Sequence, residues 1–361
     1  MRQDWVVLPV PRSLAEITPA WVTAAIGGHC PGAVVGEVEI GPVADGTNRR
    51  ASVRLSYAEG SGPSSIFVKG QGRMLHRLAL VALGALTAEA RLADSGVKLP
   101  LNHPVLYAAG VDRARLGTIV VMEDVNSIGG RPNDATTPLD LAEVRTGLDG
   151  LARLHAAYWD RPLPPALGFL GPWRLPKRWA PMSRATLSRG LRRLADAGQS
   201  GLVPPEVDAR KLEYQFRRSA TLAAAGPQTV LHGDPHPGNT YALPANRTGF
   251  YDWQLVRTGN WSHDVGYFLV GSLDVADRRG HEGELLTGYL DALRTAGVDA
   301  PSYDQAWAQY RSTPAFGFGT WLHTLSVGSF QPVDICLATL RRFASAYQDL
   351  ETHRSGVTSR P

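Results

Sequence analysis

Val230-Leu-His-Gly-Asp-Pro-His-Pro-Gly-Asn-Thr240, followed after a short polar gap by Phe250-Tyr-Asp-Trp-Gln254, decides how this chain is read. Pro235, Pro237 and Gly238 lie between Asp234 and Asn239 and exclude a regular helix, so the segment is a rigid loop. Its flanks, Gln228–Leu231 and Gly249–Trp253, read as strands, with Pro244-Ala-Asn-Arg-Thr-Gly249 as a turn between them. Asp252 is then expected at a strand end beside the loop. Two strands would hold three polar groups, Asp234, Asn239 and Asp252, in one place.

An Asp and an Asn five residues apart, then a second Asp closing an apolar run, matches a base and two metal ligands in kinases. The protein-kinase catalytic loop reads H-R-D-x-x-x-x-N, with a metal-binding Asp on the strand that follows. His232, Asp234, Asn239 and Asp252 fall in that order. The chemistry explains the residue types. An acceptor hydroxyl is a poor nucleophile, so a carboxylate must orient it and take its proton. The charge on ATP phosphates calls for magnesium, which binds one or two carboxylates plus substrate oxygens. Asp234 is the expected base, and Asn239 and Asp252 the expected magnesium ligands. Two other readings stay open. His232, Asp234 and His236 alternate like the H-x-D-x-H ligands of a metallohydrolase, although the prolines spoil the alternation and Asn239 is left without a role. The segment could also be a tight turn with satisfied polar side chains.

A kinase reading requires an ATP site upstream. Only four of the 37 basic residues are Lys, at positions 69, 98, 177 and 211. Lys69 closes the apolar run Ser65-Ile-Phe-Val-Lys69, where a compact ammonium could reach phosphate from a strand. A strand-end Lys pointing to solvent is the alternative. Glu89 lies in Leu78–Ser95, a segment compatible with one helix, and could pair with Lys69 or be an ordinary surface charge. Ahead of Lys69, Val34–Val43 and Arg50–Tyr57 read as strands around the turn Ala44-Asp-Gly-Thr-Asn-Arg49. Gly46, Thr47 and Asn48 could there lie over phosphates. Gly117–Asp124 reads as a further strand entering a Gly/Pro/Asn-rich passage, which makes Met122, Glu123 and Val125 candidates for a hinge that binds adenine.

The ordered set resembles the aminoglycoside-phosphotransferase superfamily. It comprises the Gly-Thr-Asn turn, Lys69, Glu89, the Met122–Val125 hinge, Leu151-Ala-Arg-Leu-His155, the His232–Asn239 loop and Tyr251-Asp-Trp-Gln254. Asp252-Trp-Gln254 with Asp264-Val-Gly-Tyr-Phe-Leu269, and the opening Ile17–Ile26, are most similar to its ecdysteroid-kinase-like and CHK-kinase-like branch. The resemblance covers roughly residues 15–350. It implies an α+β, bilobal protein-kinase-like fold with a small antiparallel-sheet N-lobe and a mainly helical C-lobe. Residues 1–125 would be the nucleotide-binding lobe, led by a helix at about 13–27, and residues 126–361 the catalytic and substrate lobe. It implies Asp234 as the catalytic Asp, with Asn239 and Asp252 holding magnesium. Lys69 would bind phosphates and Glu89 orient it. Asp264 would accept backbone hydrogen bonds from the catalytic loop, and His232 would pack behind it.

Departures from protein kinases point to a small-molecule enzyme. Gly233 replaces the Arg before the Asp, Trp253-Gln254 replaces Phe-Gly, and only eleven residues separate Asp252 from Asp264. The expected activity is ATP- and magnesium-dependent phosphorylation of a hydroxyl on a small molecule. A nucleotide-binding pseudokinase or sensor without transfer is the alternative. Formal net charge is only +4 with Arg dispersed, so no nucleic-acid partner is expected. The two cysteines, Cys30 and Cys336, form neither a zinc site nor a disulfide framework. No secretory or membrane segment is evident, so a cytoplasmic monomer or homodimer is expected.

Helices are expected over Leu139–Trp159, with His155 packing under its apolar stripe, and over Ser183–Ala197, Pro205–Ala225, Glu282–Ala296, Tyr303–Trp321 and Val333–Gln348. From Trp261 onward eleven acidic residues face eight Arg without a dense carboxylate cluster, unlike the surface a polycationic acceptor would want. Trp307, Tyr310, Phe316, Phe318, Trp321 and His323 crowd one region, as core or as the wall of a cleft for a bulky, partly apolar alcohol.

Overall fold

Period-two alternation builds the first layer. In β3 (Arg49–Glu59) Ala51, Val53 and Leu55 are buried while Arg54 and Ser56 face outward, as a strand covered on one face requires. A computed structural model describes residues 8–45, 48–172 and 179–352. Its main sheet is antiparallel throughout, with strand order β1-β3-β4-β6-β5. The other members are β1 (Val34–Ile40), β2 (Ala44–Asp45, paired with β3), β4 (Ser65–Gly70), β5 (Leu106–Asp112) and β6 (Gly117–Glu123). The leading helix is shorter than the expected 13–27. A 3-10 turn at Leu14–Glu16 precedes α1 (Pro19–Ile26), whose start is set by Thr18 capping Trp21 N–H and by Pro19 at the first position. Val22, Ala25 and Ile26 of α1 pack into the core formed by Val35, Val53, Ile66, Val68 and Val121.

The expected single helix over Leu78–Ser95 is two helices, α2 (Met74–Ala82) and α3 (Ala88–Asp94). Gly84, at φ +69°, breaks them. Its N–H bonds to Val81 O at 3.0 Å and the Ala85 N–H to Leu80 O at 2.8 Å, the paired bonds of a Schellman stop. Helix α3 lays Ala90 and Ala93 on Val120 and Met122, which fixes Glu89 beneath the sheet.

The remainder is mainly helical: α4 (Leu141–Tyr158), α5 (Ala180–Asp196), α6 (Ala209–Ala223), α7 (Ser262–Ser272), α8 (Val275–Thr295), α9 (Tyr303–Tyr310), α10 (Pro314–Val327) and α11 (Val333–Asp349). The expected helix Tyr303–Trp321 is divided before Pro314, which cannot supply the N–H that a continuous helix would need. Helix α7 went unassigned in the sequence because every one of its residues is buried, leaving no amphipathic stripe. Small sheets carry the loops between. The pair β9 (Thr240–Leu243) and β10 (Arg247–Phe250) extends to β7 (Arg131–Pro132), while β8 (Thr229–Leu231) pairs with β11 (Arg257–Gly259). The strands flanking the loop therefore belong to different pairs, and the turn at Ala245 and Asn246, both with positive φ, joins β9 to β10. No helix among the described residues is long and apolar enough to cross a membrane.

Candidate active site

Strand β4 delivers Lys69 into the interior, 6 % exposed. Its Nζ donates to Glu89 Oε2 on α3 at 2.6 Å and also to Asp252 Oδ1, 183 positions along the chain. The solvent-pointing reading of Lys69 and the surface reading of Glu89 both fall. Glu89 Oε1 also accepts the Trp253 backbone N–H at 3.0 Å, so α3, β4 and the segment after β10 meet on one carboxylate. Burial works against the ammonium, but Asp252 and Glu89 outweigh it and hold Lys69 charged. Burial, and then the nearby Asp252 charge, push Glu89 up against the pull of Lys69. Asp252 is held below its ordinary value, Lys69 overcoming the cost of burial.

Asp252 lies two residues beyond β10 rather than at a strand end, with φ +64° and ψ +64°. A left-handed non-glycine residue costs on the order of 1–3 kcal/mol and persists where the surroundings fix it, commonly at functional sites. Here Lys69 and the Trp253–Glu89 bond fix it.

The loop after β8 is held from several sides. Asn239 donates from Nδ2 to Asp234 O at 2.9 Å and to Asp234 Oδ2 at 3.2 Å, which holds the Asp234 carboxylate. Asp264, fully buried in α7, accepts His232 N–H at 2.6 Å and Gly233 N–H at 2.9 Å on its two oxygens. Burial alone would raise Asp264, but hydrogen bonding by His155 and the surrounding histidines hold it at about 2. Asp234 keeps 27 % of its side chain exposed. Burial first, and the Asp252 carboxylate second, push it up to about 7.

Both loop histidines are engaged with backbone. His232 Nδ1 accepts Asp234 N–H at 3.3 Å and its Nε2 faces Tyr251 O at 3.0 Å, while His236 Nδ1 accepts Gly238 N–H at 3.1 Å. Among the described residues no three His, Cys, Asp or Glu side chains are grouped to hold a metal ion. This geometry disfavours the metallohydrolase reading.

The other expected residues are less uniformly placed. Asn48 Nδ2 donates to Gln254 Oε1 at 3.0 Å, tying the β2–β3 turn to the segment after Asp252. Gly46 and Thr47 lie outside the described residues. Met122 packs under α3, and its backbone lies between β4 and β5, opposite Phe67 and Leu106. Glu123 N–H is bonded to Val105 O at 2.8 Å, and Val125 opens a 3-10 turn in which its carbonyl accepts Gly130 N–H at 2.8 Å. Tyr310, Phe318 and Trp321 are buried core, Trp321 meeting the His236 ring edge-on at 5.3 Å, while Phe316, 8 % exposed, also lines a small cavity with His263 and Tyr267. His155 is buried and packs on Tyr289, as expected of it, and also reaches Asp264.

Several participants were missed. Asp124 is buried and accepts hydrogen bonds from Ser52 and Ser65, joining β3 and β4 to the end of β6. Tyr267 lies beside Asp234, and burial keeps its hydroxyl protonated. Arg257 and His263 lie under Gly233.

Residues 60–316 match the model of the phosphotransferase enzyme family APH. The chain belongs to this family of kinase-type phosphotransferases. Its structure is similar to that of a candidate aminoglycoside phosphotransferase from Ralstonia eutropha JMP134, at 17% identity and a TM-score of 0.51, covering 92% of this chain and 97% of that one. It is also similar to an ethanolamine kinase from Plasmodium vivax, at 12% identity and a TM-score of 0.51, covering 88% and 83%. At these identities the likeness carries the fold alone, which is protein-kinase-like. No curated protein sequence matches the chain.

Proposed function

We propose that this chain transfers the γ-phosphoryl group of ATP, with magnesium, to a hydroxyl of a small molecule, Asp234 acting as the base. The observation that carries the reading is the Lys69 ammonium held between Glu89 and Asp252, beside the loop that presents Asp234 and Asn239. The lobes are divided near residue 125, with adenine against the Met122–Val125 segment and the phosphates under the β2–β3 turn.

The donor set fits magnesium. Asn239 has its amide nitrogen engaged with Asp234, leaving its carbonyl oxygen for a cation. Asp252 is ionised, and its negative charge contributes to the raised Asp234 carboxyl, an imbalance that a divalent cation would relieve. Asp252 and Asn239 would hold magnesium, which would neutralise charge on the phosphate oxygens. Lys69 holds the phosphate tail and Glu89 fixes Lys69. Asp234 accepts a hydrogen bond from the acceptor hydroxyl. As the acceptor oxygen bonds to the γ-phosphorus, the bond from phosphorus to the ADP oxygen breaks and the acceptor proton passes to Asp234.

The test uses ATP labelled on its γ-phosphate and a panel of hydroxylated metabolites and antibiotics, with Asp234→Ala alongside. Label should pass to an acceptor with the wild type, and turnover should fall by ~10²–10⁴-fold in Asp234→Ala, the usual worth of a positioned base. Equal transfer by both proteins would remove Asp234 from the reaction. Magnesium-dependent ATP binding with no transfer would favour a nucleotide sensor.

A further inference from the structure

We propose that Arg257, backed by His263, is a positioning residue that fixes the Gly233 carbonyl and thereby the orientation of Asp234. The inference rests on the reading of Asp234 as the base. Gly233 has φ +87°, and a Cβ placed there would meet Leu255 O at 2.1 Å. No side chain of its own can hold this turn, so its peptide groups must be held. The N–H groups of His232 and Gly233 are bound by Asp264. On the opposite side, Arg257 Nη2 donates to Gly233 O at 3.1 Å.

Arg257 is well placed for this task. In β11 it stands opposite Leu231, the last residue of β8 before the loop, so the strand pair sets its position. Arg257 is 8 % exposed and His263 4 %. A guanidinium has no acceptor, so in the Arg257–His263 contact the His263 Nε2 must supply the lone pair. Nε2 then carries no hydrogen, and the Gly233 carbonyl, 3.3 Å from it, is served by Arg257 instead. The two hydrogens on one Nη2 satisfy both acceptors. His263 is therefore the neutral acceptor that aims the guanidinium. Burial pulls Arg257 down to about 10, and Asp264 and then Asp234 oppose that pull. In the H-R-D loop a cation precedes the Asp directly; Gly233 occupies that position here, and the cation comes from the neighbouring strand.

A merely structural Arg257 and a positioning one differ in what they move. Acceptor-independent phosphate release from magnesium-ATP, with water as acceptor, is measured for wild type, Arg257→Ala, Arg257→Lys and Asp234→Ala. Magnesium-ATP affinity is read by calorimetry on each. Displacing the base by ~1 Å is expected to lower turnover about 100-fold in Arg257→Ala, with nucleotide affinity unchanged and turnover partly restored by added guanidinium ion. Arg257→Lys, which keeps the charge but not the planar fork, should recover only part of the rate. Its His263 Nε2 nitrogen-15 resonance should shift, and this readout stands even if Arg257→Ala does not fold. Wild-type turnover in either folded Arg257 variant, loss of turnover in step with nucleotide affinity, or an unmoved His263 resonance would overturn the proposal. If Asp234→Ala keeps its turnover, the base assignment fails; if Asp234→Ala is inactive and Arg257→Ala active, only this inference fails.

Discussion

Replacing Lys69 by Met would leave the buried Glu89 carboxylate and the half-buried Asp252 carboxylate without their shared cation. Glu89 is 5 % exposed, and the Asp252 side chain 23 %. Removing one partner of a buried ion pair usually costs about 3–5 kcal/mol, because the other charge stays uncompensated. That is a large share of the ~5–15 kcal/mol by which domains are stable. The pH dependence carries the sharper signature. In the wild type Lys69 has a folded value above its ordinary 10.5, so its contribution is complete below that value and flat across pH 5–8. Glu89 has a folded value already raised from 4.5 by burial. Without Lys69 it rises further, so the folded protein binds a proton that the unfolded chain releases. Stability then falls as pH rises above the ordinary carboxyl value and recovers on acidification. Urea unfolding of Lys69→Met between pH 5 and 8 should show the variant closest to wild type at pH 5 and farthest at pH 8, and Glu89→Gln in the same background should remove part of the slope. A variant as stable as wild type at pH 8, or a constant deficit across the range, would refute the buried triad.

Gly233→Ala should cost more than an ordinary loop substitution, since its φ of +87° and the 2.1 Å approach of Leu255 O both oppose a Cβ; thermal unfolding and phosphate release should both fall, and an unperturbed Gly233→Ala would contradict the loop geometry. Asp234 should titrate near 7 in the metal-free protein; its protonated form is favoured below that value, so carboxyl carbon-13 resonances should move through a midpoint about 3 units above an ordinary Asp. Adding magnesium and an ATP analogue should lower that midpoint. A titration at the ordinary value in the metal-free protein would remove the Asp252 and burial effects assigned to it.

The loop was legible because its prolines forbid a helix and its Asp–Asn spacing matches a chemical need. Lys69 stood out because this Arg-rich chain uses Lys at only four positions. The same bias hid Arg257: one Arg among 33 carries no signal, and its partner Gly233 lies 24 residues away. Tyr267 and His263 were hidden by the complete burial of α7, which leaves no periodic stripe to mark a face. Helix boundaries failed where a single residue acted. Gly84 ends α2 by adopting a left-handed turn, and Pro314 begins α10 where continuous apolar content suggested no break. Strand partners failed for a different reason, because pairing is a long-range choice that local pattern does not determine. Asp124 reads only as the last residue of a strand, yet its hydroxyl partners come from β3 and β4, up to 72 positions away.

A crystal structure with magnesium and a non-hydrolysable ATP analogue tests the central claim most directly. The account predicts a cation held by Asp252 and the Asn239 carbonyl at about 2.0–2.1 Å, Lys69 on the phosphates while still paired with Glu89, and the γ-phosphorus facing Asp234. A triphosphate that leaves Lys69 on Asp252 and Glu89 alone, or that points away from Asp234, would contradict it.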